Sequence, residues 1–375
     1  MVSQNESCDN NKSFLELIKD LTDLRSSQGK RHEIHVVMII AIMAIMNGYL
    51  SFRALQDYAE VNKKEFIKLF KLKKKQLPKK DVFRTVFNQI QFEELNFIFE
   101  SWVKQELKIA KLDWISLDGK AIKHTFPDKT HHFVTLVSKF AHKSKQIISQ
   151  DKVKHKSNEI PISQSLIDLF KKNENIFILD ALNTQKKTVD SIIKNNNYFV
   201  LPVKQNQKSL LKEVQKNINL NLIIDKNKTI KKSRGRLESR EVKVFENDFY
   251  KETEELGWKN IKRIIEVRRT VFHKKKQKLS QETIYYVSNL ETSVEEFNIG
   301  IRNHWLVESM HWIKDNIFKE DNACITNEKS AANFSLLRSF ALNLIRYAGF
   351  ESIIQGIRLM MRNIKFMWNL LGGDK

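Results

Sequence analysis

The sequence predicts an α/β protein in which a mixed β-sheet follows an all-helical N-terminal region and is interrupted by a β-rich insertion. Three features support this prediction. Apolar residues recur at helical spacing through residues 12–106, and short strand-like runs begin at Leu112. Residues 222–290 then carry further β-rich runs separated by basic loops. The order of these patterns indicates helices first and a sheet second.

The N-terminal region contains one apolar run, Val36–Met46, that predicts a buried helix. This run is too short to span a bilayer and begins too far into the chain for a typical signal peptide. Pro78 follows a lysine-rich stretch and marks a loop before a helix that begins near Asp81. We therefore expect no membrane segment here.

The predicted sheet begins with three strands that are close enough in sequence for an antiparallel meander, at 112–118, 132–141 and 146–153. Helical and strand-like segments then alternate, at 162–172, 175–180, 184–194 and 198–204. Three strands followed by alternating helix and strand fit a ribonuclease H-like core.

The changes of pattern divide the chain into four segments. We predict a helical N-terminal domain at 1–108, the first part of the core at 109–221, the β-rich insertion at 222–291, and the second part of the core with the C-terminal helices at 292–375.

The composition indicates a polyanionic partner. The chain has 65 Lys and Arg residues against 44 Asp and Glu residues, which gives a net charge of +21 over 375 residues. Such an excess favours nucleic acid through phosphate neutralisation and counterion release, although an AT-rich genome also enriches lysine. Cys8 and Cys324 are too few for a cysteine metal cluster or a disulfide framework. A reduced, cytoplasmic location follows.

Three acidic residues are candidates for a catalytic metal site. Asp118 and Asp180 each end an apolar strand-like run, and Glu308 lies on a later predicted helix. Side chains at strand ends of such sheets commonly bind ligands, so the three carboxylates can converge. Taken alone, each Asp is more typical of a turn or a helix N-cap. Glu308 alone is typical of a solvated helix face, with Trp305 and Trp312 packed inward.

The residue types favour Mg²⁺ or Mn²⁺ at this site. Hard carboxylate oxygens suit these ions, and two such ions can assist phosphoryl transfer. His304 and His311 raise zinc as an alternative, but they are seven residues apart and no zinc-protease motif is present. The acidic partners therefore favour Mg²⁺ or Mn²⁺.

Several polar residues are candidates for DNA contacts that position phosphates rather than read sequence. They lie after the first Asp, after the strand at 198–204, in the insertion, and on the Glu308 helix. In that order they are Lys120, Lys204 and Asn206, Arg234 and Arg236, and Lys314. The alternative is that these segments are solvated loops and surfaces.

An ordered series of segments resembles the DDE transposases of bacterial insertion-sequence type, in the branch that includes the H-repeat-associated proteins. The resemblance covers most of the chain. It includes Leu117-Asp118-Gly119-Lys120, the segment Asp180–Lys186, the segment Arg234–Arg240, and the segment Arg302–Glu308.

The resemblance implies a ribonuclease H-like catalytic core in which Asp118, Asp180 and Glu308 bind metal. It also implies Mg²⁺-dependent cleavage at the element ends and strand transfer into target DNA by a two-metal mechanism. The implied partners are double-stranded DNA, as terminal inverted repeats and as target, and a second copy in a synaptic homodimer. The implied location is the cytoplasm, in association with the bacterial nucleoid. The helical N-terminal region would bind DNA ends or mediate dimerisation.

The sequence departs from the wider superfamily on the helix that carries Glu308. The pattern there is Tyr-x2-Arg-x3-Glu-x6-Lys, and this chain has Ile301, His304 and Asp315 at the Tyr, Arg and Lys positions. Those three roles therefore do not transfer. Two alternatives stay open at this point: a ribonuclease H-like nuclease that cuts without joining, and a catalytically silent basic DNA-binding protein.

Overall fold

The computed structural model describes residues 12–106, 111–123, 133–153, 159–168, 174–220, 222–233, 235–323, 325–361 and 363–373. Within these residues, nine strands form one sheet in the order β3-β2-β1-β4-β5-β9-β8-β7-β6. Helices pack against the sheet and against one another.

The described chain before the first strand is helical. Its helices are α1 (Phe14–Leu17), α2 (Ile34–Met46), α3 (Phe52–Val61), α4 (Lys63–Leu69), α5 (Lys80–Gln89) and α6 (Phe92–Glu106). Helix α2 is apolar on every side except at His35, and it is buried along its length as the run of apolar residues predicts. Ser51 caps α3 by accepting a hydrogen bond from the backbone N of Ala54.

The first half of the sheet has the predicted topology. Its strands are β1 (Trp114–Ile122), β2 (Val134–Ala141), β3 (Gln146–Lys152), β4 (Ile176–Ile178) and β5 (Tyr198–Val203). β1, β2 and β3 form an antiparallel meander, and β4 is parallel to both β1 and β5. Helices α7 (Glu159–Asp168) and α8 (Lys186–Lys194) precede and follow β4. The predicted α/β class is confirmed, and these five strands have the order and directions expected of a ribonuclease H-like core.

The insertion continues this sheet instead of forming a separate one. After α9 (Lys208–Leu220) it comprises β6 (Asp225–Ser233), β7 (Arg236–Glu246), α10 (Tyr250–Glu255), β8 (Arg263–His273) and β9 (Lys278–Ser288). β9 pairs antiparallel with β5, and β8, β7 and β6 follow outward as long antiparallel strands. The insertion is therefore one wing of the same sheet.

The helices after the insertion connect the two parts of the fold. They are α11 (Val294–Asn303), α12 (Trp305–Asn316), α13 (Glu328–Tyr347), α14 (Ile353–Met360) and α15 (Ile364–Leu370). Helix α13 is buried from Ser330 to Ile345, and it packs against α2, α5 and α6 on one side and β2 and β3 on the other. The N-terminal helices and the core thus share one apolar interior. The predicted domain limits stay predictions.

A close approach between α11 and β1 determines where α11 lies. A Cβ atom at Gly300 would lie 2.1 Å from Cε2 of Trp114, the first residue of β1. The indole ring therefore occupies the space that any larger residue would need. Because α12 follows α11 directly, this contact also determines where α12 begins.

Two sequence expectations differ from the structure. β6 was not predicted, because its lysine-rich sequence has no apolar alternation and its two half-buried residues, Asn227 and Thr229, are polar. Asp118 was expected at the end of its strand, but β1 continues four residues beyond it. No helix in the described chain has the length and apolar character to cross a membrane.

We predict that Gly300→Ala lowers the free energy of unfolding by about 1–3 kcal/mol, because the methyl group overlaps Trp114 in a filled interior. Urea denaturation measures the change. The control is Ile299→Ala on the same helix, where the side chain is 53% exposed and a change within about 0.5 kcal/mol is expected. Equal stability of both variants would show that α11 does not depend on this contact.

Candidate active site

The parallel register of β1 and β4 aligns the two candidate aspartates. Trp114 pairs with Ile176 and Ser116 pairs with Ile178, which is the last pair of this ladder. Two residues further along each chain come Asp118 and Asp180. Side chains two residues apart on a strand share a face, so Asp118 lies on the same face of β1 as Ser116. Asp118 and Asp180 therefore both lie two residues beyond the same end of the paired segment.

The loop after β4 is held by hydrogen bonds. Asp180 Oδ1 accepts from the backbone N of Asn183 at 3.0 Å and from its Nδ2 at 2.9 Å. Asn206 Nδ2 donates to the carbonyl of Ala181 at 2.7 Å, and Gln207 Nε2 donates to the carbonyl of Thr184 at 2.9 Å. Asp180 thus has the turn role that was its alternative, and its carboxylate is oriented by that turn.

Helix α12 lies along the face of β1 that carries Asp118. His304 Nδ1 is 2.9 Å from Ser116 Oγ, and His311 Nδ1 is 3.5 Å from Asp118 Oδ2. Asp315 Oδ1 is 2.7 Å from the ammonium of Lys120. Ser116, Asp118 and Lys120 share one face of the strand, and the residues that contact them follow in the same order along the helix.

The histidines beside the aspartates are neutral at physiological pH. Burial lowers the pKa of His304 to about 4 and that of His311 to about 3. Ser116 Oγ also lies 2.8 Å from Nε2 of His142, so its hydroxyl is hydrogen-bonded between the two imidazole rings. Because His311 is uncharged, its contact with Asp118 does not neutralise that carboxylate.

Glu308 is on the same helix but is exposed. It follows His304 by four residues and precedes His311 by three, so it lies near the helix face that adjoins β1. Trp305 and Trp312 are 66% and 58% exposed, and the alternative in which both pack inward is wrong. Across the described residues, no three His, Cys, Asp or Glu side chains are close enough together to hold one metal ion. The predicted triad is therefore not assembled.

The donor set nevertheless fits a hard divalent cation. Asp118 on β1, Asp180 in the loop after β4 and Glu308 on α12 each carry carboxylate oxygens. Mg²⁺ and Mn²⁺ prefer such oxygen ligands and keep several waters, so two or three carboxylates suffice.

Lys120 lies at the centre of a cluster of acidic side chains. Its ammonium is 2.7 Å from Asp315, 3.1 Å from Glu320 and 3.0 Å from Asp321. Burial alone would lower the pKa of Lys120, but the negative charges of Glu320 and Asp315 raise it overall. This cluster ties the end of α12 and the turn after it to β1.

A second layer of charge lies behind this cluster. Glu320 is completely buried, and its carboxylate is 3.3 Å from the ammonium of Lys314 and 3.9 Å from the guanidinium of Arg338. Burial would raise the pKa of Glu320, but Lys314, Lys120 and Arg338 lower it to about 2. Lys314 also donates to Ser335 Oγ at 2.8 Å, so α12 is joined to α13 by this network.

Comparison with known proteins places the chain in a family. Residues 109–344, more than half of the chain, match the family model described as "Transposase DDE domain". The chain belongs to this transposase family. Residues 15–103 match the model described as "DDE_Tnp_1-associated", which confirms the resemblance in the sequence.

Two curated relatives of this transposase-family chain come from Escherichia coli. "Putative transposase YncI" of strain O157:H7 is 27% identical over 89% of this chain and 87% of its own length. "H repeat-associated putative transposase YhhI" of strain K12 is 27% identical over 89% of this chain and 90% of its own length. The structure of the piggyBac transposase synaptic complex with hairpin DNA aligns with a TM-score of 0.44 and 9% identity, over 95% of this chain and 76% of that one.

Two of the predicted DNA contacts of this transposase-family chain are corrected by the structure. Lys314 is buried against Glu320 and Ser335, so it cannot reach a DNA phosphate. Lys120 is held by three carboxylates with only 11% of its side chain exposed, so its charge is already neutralised. Both lysines instead stabilise the junction of β1 and α12.

The other predicted DNA contacts lie on the surface or outside the described residues. Lys204 and Asn206 are exposed at the turn after β5, although Asn206 also bonds to the Asp180 loop. Arg236 is exposed at the start of β7. Arg234 lies outside the described residues. Contacts of Lys204, Asn206 and Arg236 with DNA stay predictions.

Sequence reasoning did not predict which residues of α12 contact the strand that carries Asp118. Ser116 stands two residues before Asp118, and the pairing of His304 with it joins positions 188 residues apart. The one available signal was the spacing of His304, Glu308 and His311 on a single helix face. That signal indicates a shared surface but not the strand that the surface covers.

We predict that Glu320→Gln lowers the free energy of unfolding by about 3 kcal/mol, because it leaves the buried Lys314 and Arg338 without a counter-charge. The folded-state pKa of about 2 lies below the ordinary value of 4.5, so the stabilisation is present above pH 4.5 and is lost as the pH falls toward 2. Urea denaturation across this range should therefore show a weaker pH dependence in the variant.

The control for Glu320→Gln is Glu328→Gln. Glu328 is 3.0 Å from Lys152, but both side chains are partly exposed, at 30% and 22%. We expect a change within about 1 kcal/mol there. A Glu320→Gln variant no less stable than this control would contradict the role of the buried network.

Proposed function

We propose that this chain is a DNA transposase that cuts DNA at the ends of an insertion sequence and joins the freed ends to target DNA. The observation that carries the proposal is the parallel register of β1 and β4, which ends two residues before both Asp118 and Asp180, with His311 of α12 in contact with Asp118. Membership of a transposase family supports the reaction class. The proposed partners are terminal inverted repeats and target DNA, with two copies of the chain holding the two ends in the cytoplasm, at the nucleoid.

Asp118 and Asp180 would hold Mg²⁺ or Mn²⁺, and Glu308 would complete the ligand set. When bound, such ions stabilise the charge that develops on the phosphate and on the leaving oxygen in an in-line displacement. The rest of the site keeps its ligands in position. Asn183 orients Asp180 through two hydrogen bonds, and the contacts of His304 and Lys120 hold α12 on β1.

Neutral histidines suit a cation-binding site better than charged histidines do. An imidazolium at His311 would compete with a cation for Asp118, and burial prevents that charge by lowering the pKa of His311. The surrounding basic surface, including Lys204, would hold the DNA backbone by phosphate contacts. Catalysis of this kind depends mainly on positioning and on charge stabilisation.

We predict that Asp118→Asn and Asp180→Asn each reduce Mg²⁺-dependent DNA cleavage by at least about a hundredfold, while DNA binding persists. The asparagine keeps the shape of the side chain but loses the charge that a cation requires. Cleavage of a labelled inverted-repeat end measures the loss. Asp190→Asn, an exposed change of the same kind on α8, should retain full activity. Full cleavage by Asp118→Asn would sink the assignment.

We predict that Glu308→Gln also reduces cleavage strongly, although the side chain is exposed and its removal should not affect folding. Glu296→Gln, an exposed change on α11, is the matched control. Both variants are compared in the same cleavage assay. If Glu308→Gln cleaves as well as its control, another acid completes the site.

A strand-transfer assay separates the transposase from the two alternatives. Precleaved element ends are incubated with target plasmid and Mg²⁺, and joined product is measured. A transposase gives joined product that depends on Asp118. Cleavage without joining would identify a nuclease, and binding without either reaction would identify a silent DNA-binding protein.

A further inference from the structure

A basic groove lies beside the candidate active site and is not part of it. It has a volume of about 660 Å³ and separates the outer strands of the sheet from the junction of α11 and α12. Five basic residues line it, against two acidic ones. The basic residues are Lys231, Arg236, Arg240, Arg269 and Arg302, and the acidic ones are Glu238 and Glu282.

Strand pairing brings two of these arginines together. Arg240 of β7 is directly opposite Arg269 of β8 in the antiparallel register. Like charges directly opposite one another in a sheet destabilise it unless an anion lies between them. Arg302, near the end of α11, lines the same groove. Three guanidinium groups thus surround one space.

An internal carboxylate occupies part of that space. Glu238 is 3.1 Å from Arg269 and 3.9 Å from Arg302. Burial would raise the pKa of Glu238, but Arg269 and Arg302 lower it, so the carboxylate remains charged. Glu282 of β9 is also opposite Arg269 in the antiparallel register. Two glutamates against the five basic residues of the groove still leave an excess of positive charge.

Arg240 has capacity for a further anion. Within the described part of the chain, its Nε is buried and has no hydrogen-bond partner. Burial lowers the pKa of Arg240, which reflects the cost of holding this charge away from water. A buried guanidinium with an unpartnered donor is stabilised by an anionic ligand that has several oxygen acceptors, such as a phosphate.

The groove also leads toward the aspartates. Its lining continues to His304 and Trp305 at the start of α12, and His304 contacts Ser116 on the face of β1 that carries Asp118. Trp305 is 66% exposed and gives the groove a flat apolar wall. A polymer of phosphates with flat bases suits a groove that combines guanidinium groups with an exposed aromatic ring.

We propose that Arg240, Arg269 and Arg302 bind a backbone phosphate of the DNA strand that enters the active site, and that Glu238 occupies this phosphate position in the DNA-free protein. The inference rests on the proposed function, since it places DNA in the active site. Its chemistry is an exchange of one anion for another. The phosphate replaces the Glu238 carboxylate between the guanidinium groups, and no covalent step is involved.

The first test compares two neighbouring arginines on β8. Arg268 and Arg269 are each 42% exposed, but adjacent strand residues face opposite sides of the sheet. Binding of a short fluorescent DNA duplex is measured in EDTA at several NaCl concentrations, with the full-length protein. We expect Arg269→Gln to weaken binding about tenfold and to reduce the salt dependence by about one phosphate contact. Arg268→Gln should bind nearly as the wild type does.

The second test compares the two glutamates of the groove. Glu238→Gln and Glu282→Gln remove the same charge from the same groove. Glu282 is opposite Arg269 in the strand register but is exposed, and only Glu238 forms ion pairs with Arg269 and Arg302. We expect Glu238→Gln to tighten DNA binding roughly fivefold, because the competing carboxylate no longer has to be displaced. Glu282→Gln should change binding much less. Circular dichroism and thermal denaturation confirm that each variant folds.

The outcomes distinguish this inference from the proposed function. Equal effects of Arg268→Gln and Arg269→Gln, or of the two glutamate variants, would overturn it in favour of general charge attraction. If the wild type binds DNA with the expected variant pattern but does not cleave, the groove is supported and the transposase proposal fails. If the wild type cleaves and the variants all bind alike, the groove fails and the proposed function stands.

Discussion

The contact between helix α12 and strand β1 is the interaction on which the rest of the site depends. One face of β1 presents Ser116, Asp118 and Lys120 in turn, and α12 meets each of them with a polar side chain. An apolar helix–sheet contact would permit the helix to slide by a turn. Here each polar group has a specific partner, and a shift would leave buried charges unpaired, so the helix is held in one register.

The charged residues of this chain fall into an internal group that forms ion pairs and a group that faces the proposed ligands. Acidic side chains that contact Lys120, such as Glu320, are used internally, where they neutralise buried cations and join β1 to α12 and α13. Asp118 and Asp180 lie near neutral histidines, which add no positive charge beside these carboxylates. Arginines in the outer sheet keep a net positive charge. The proposed DNA strand would thus meet cations along the groove and carboxylates at its end.

Much of the core was predictable from sequence, because its strands are apolar and short, and their order restricts the possible topologies. The alignment of Asp118 with Asp180 followed from the same pattern. The structural role of Lys120 was not predictable from sequence. A lysine after Asp-Gly is typical of an exposed or DNA-facing position, and the partners of Lys120 lie about 200 residues away. β6 was not predicted because the residues on its half-buried face, Asn227 and Thr229, are polar, so the strand has no apolar period.

The most direct measurement is the location of Mn²⁺, by anomalous scattering, in crystals of the protein bound to a DNA end. We expect Mn²⁺ bound to the carboxylates of Asp118 and Asp180, with Glu308 turned into the same cluster. We also expect Asp315 and Glu320 to remain paired with Lys120. Mn²⁺ bound at Asp315 or Glu320, with none at Asp118 and Asp180, would show that the proposed metal site is wrong.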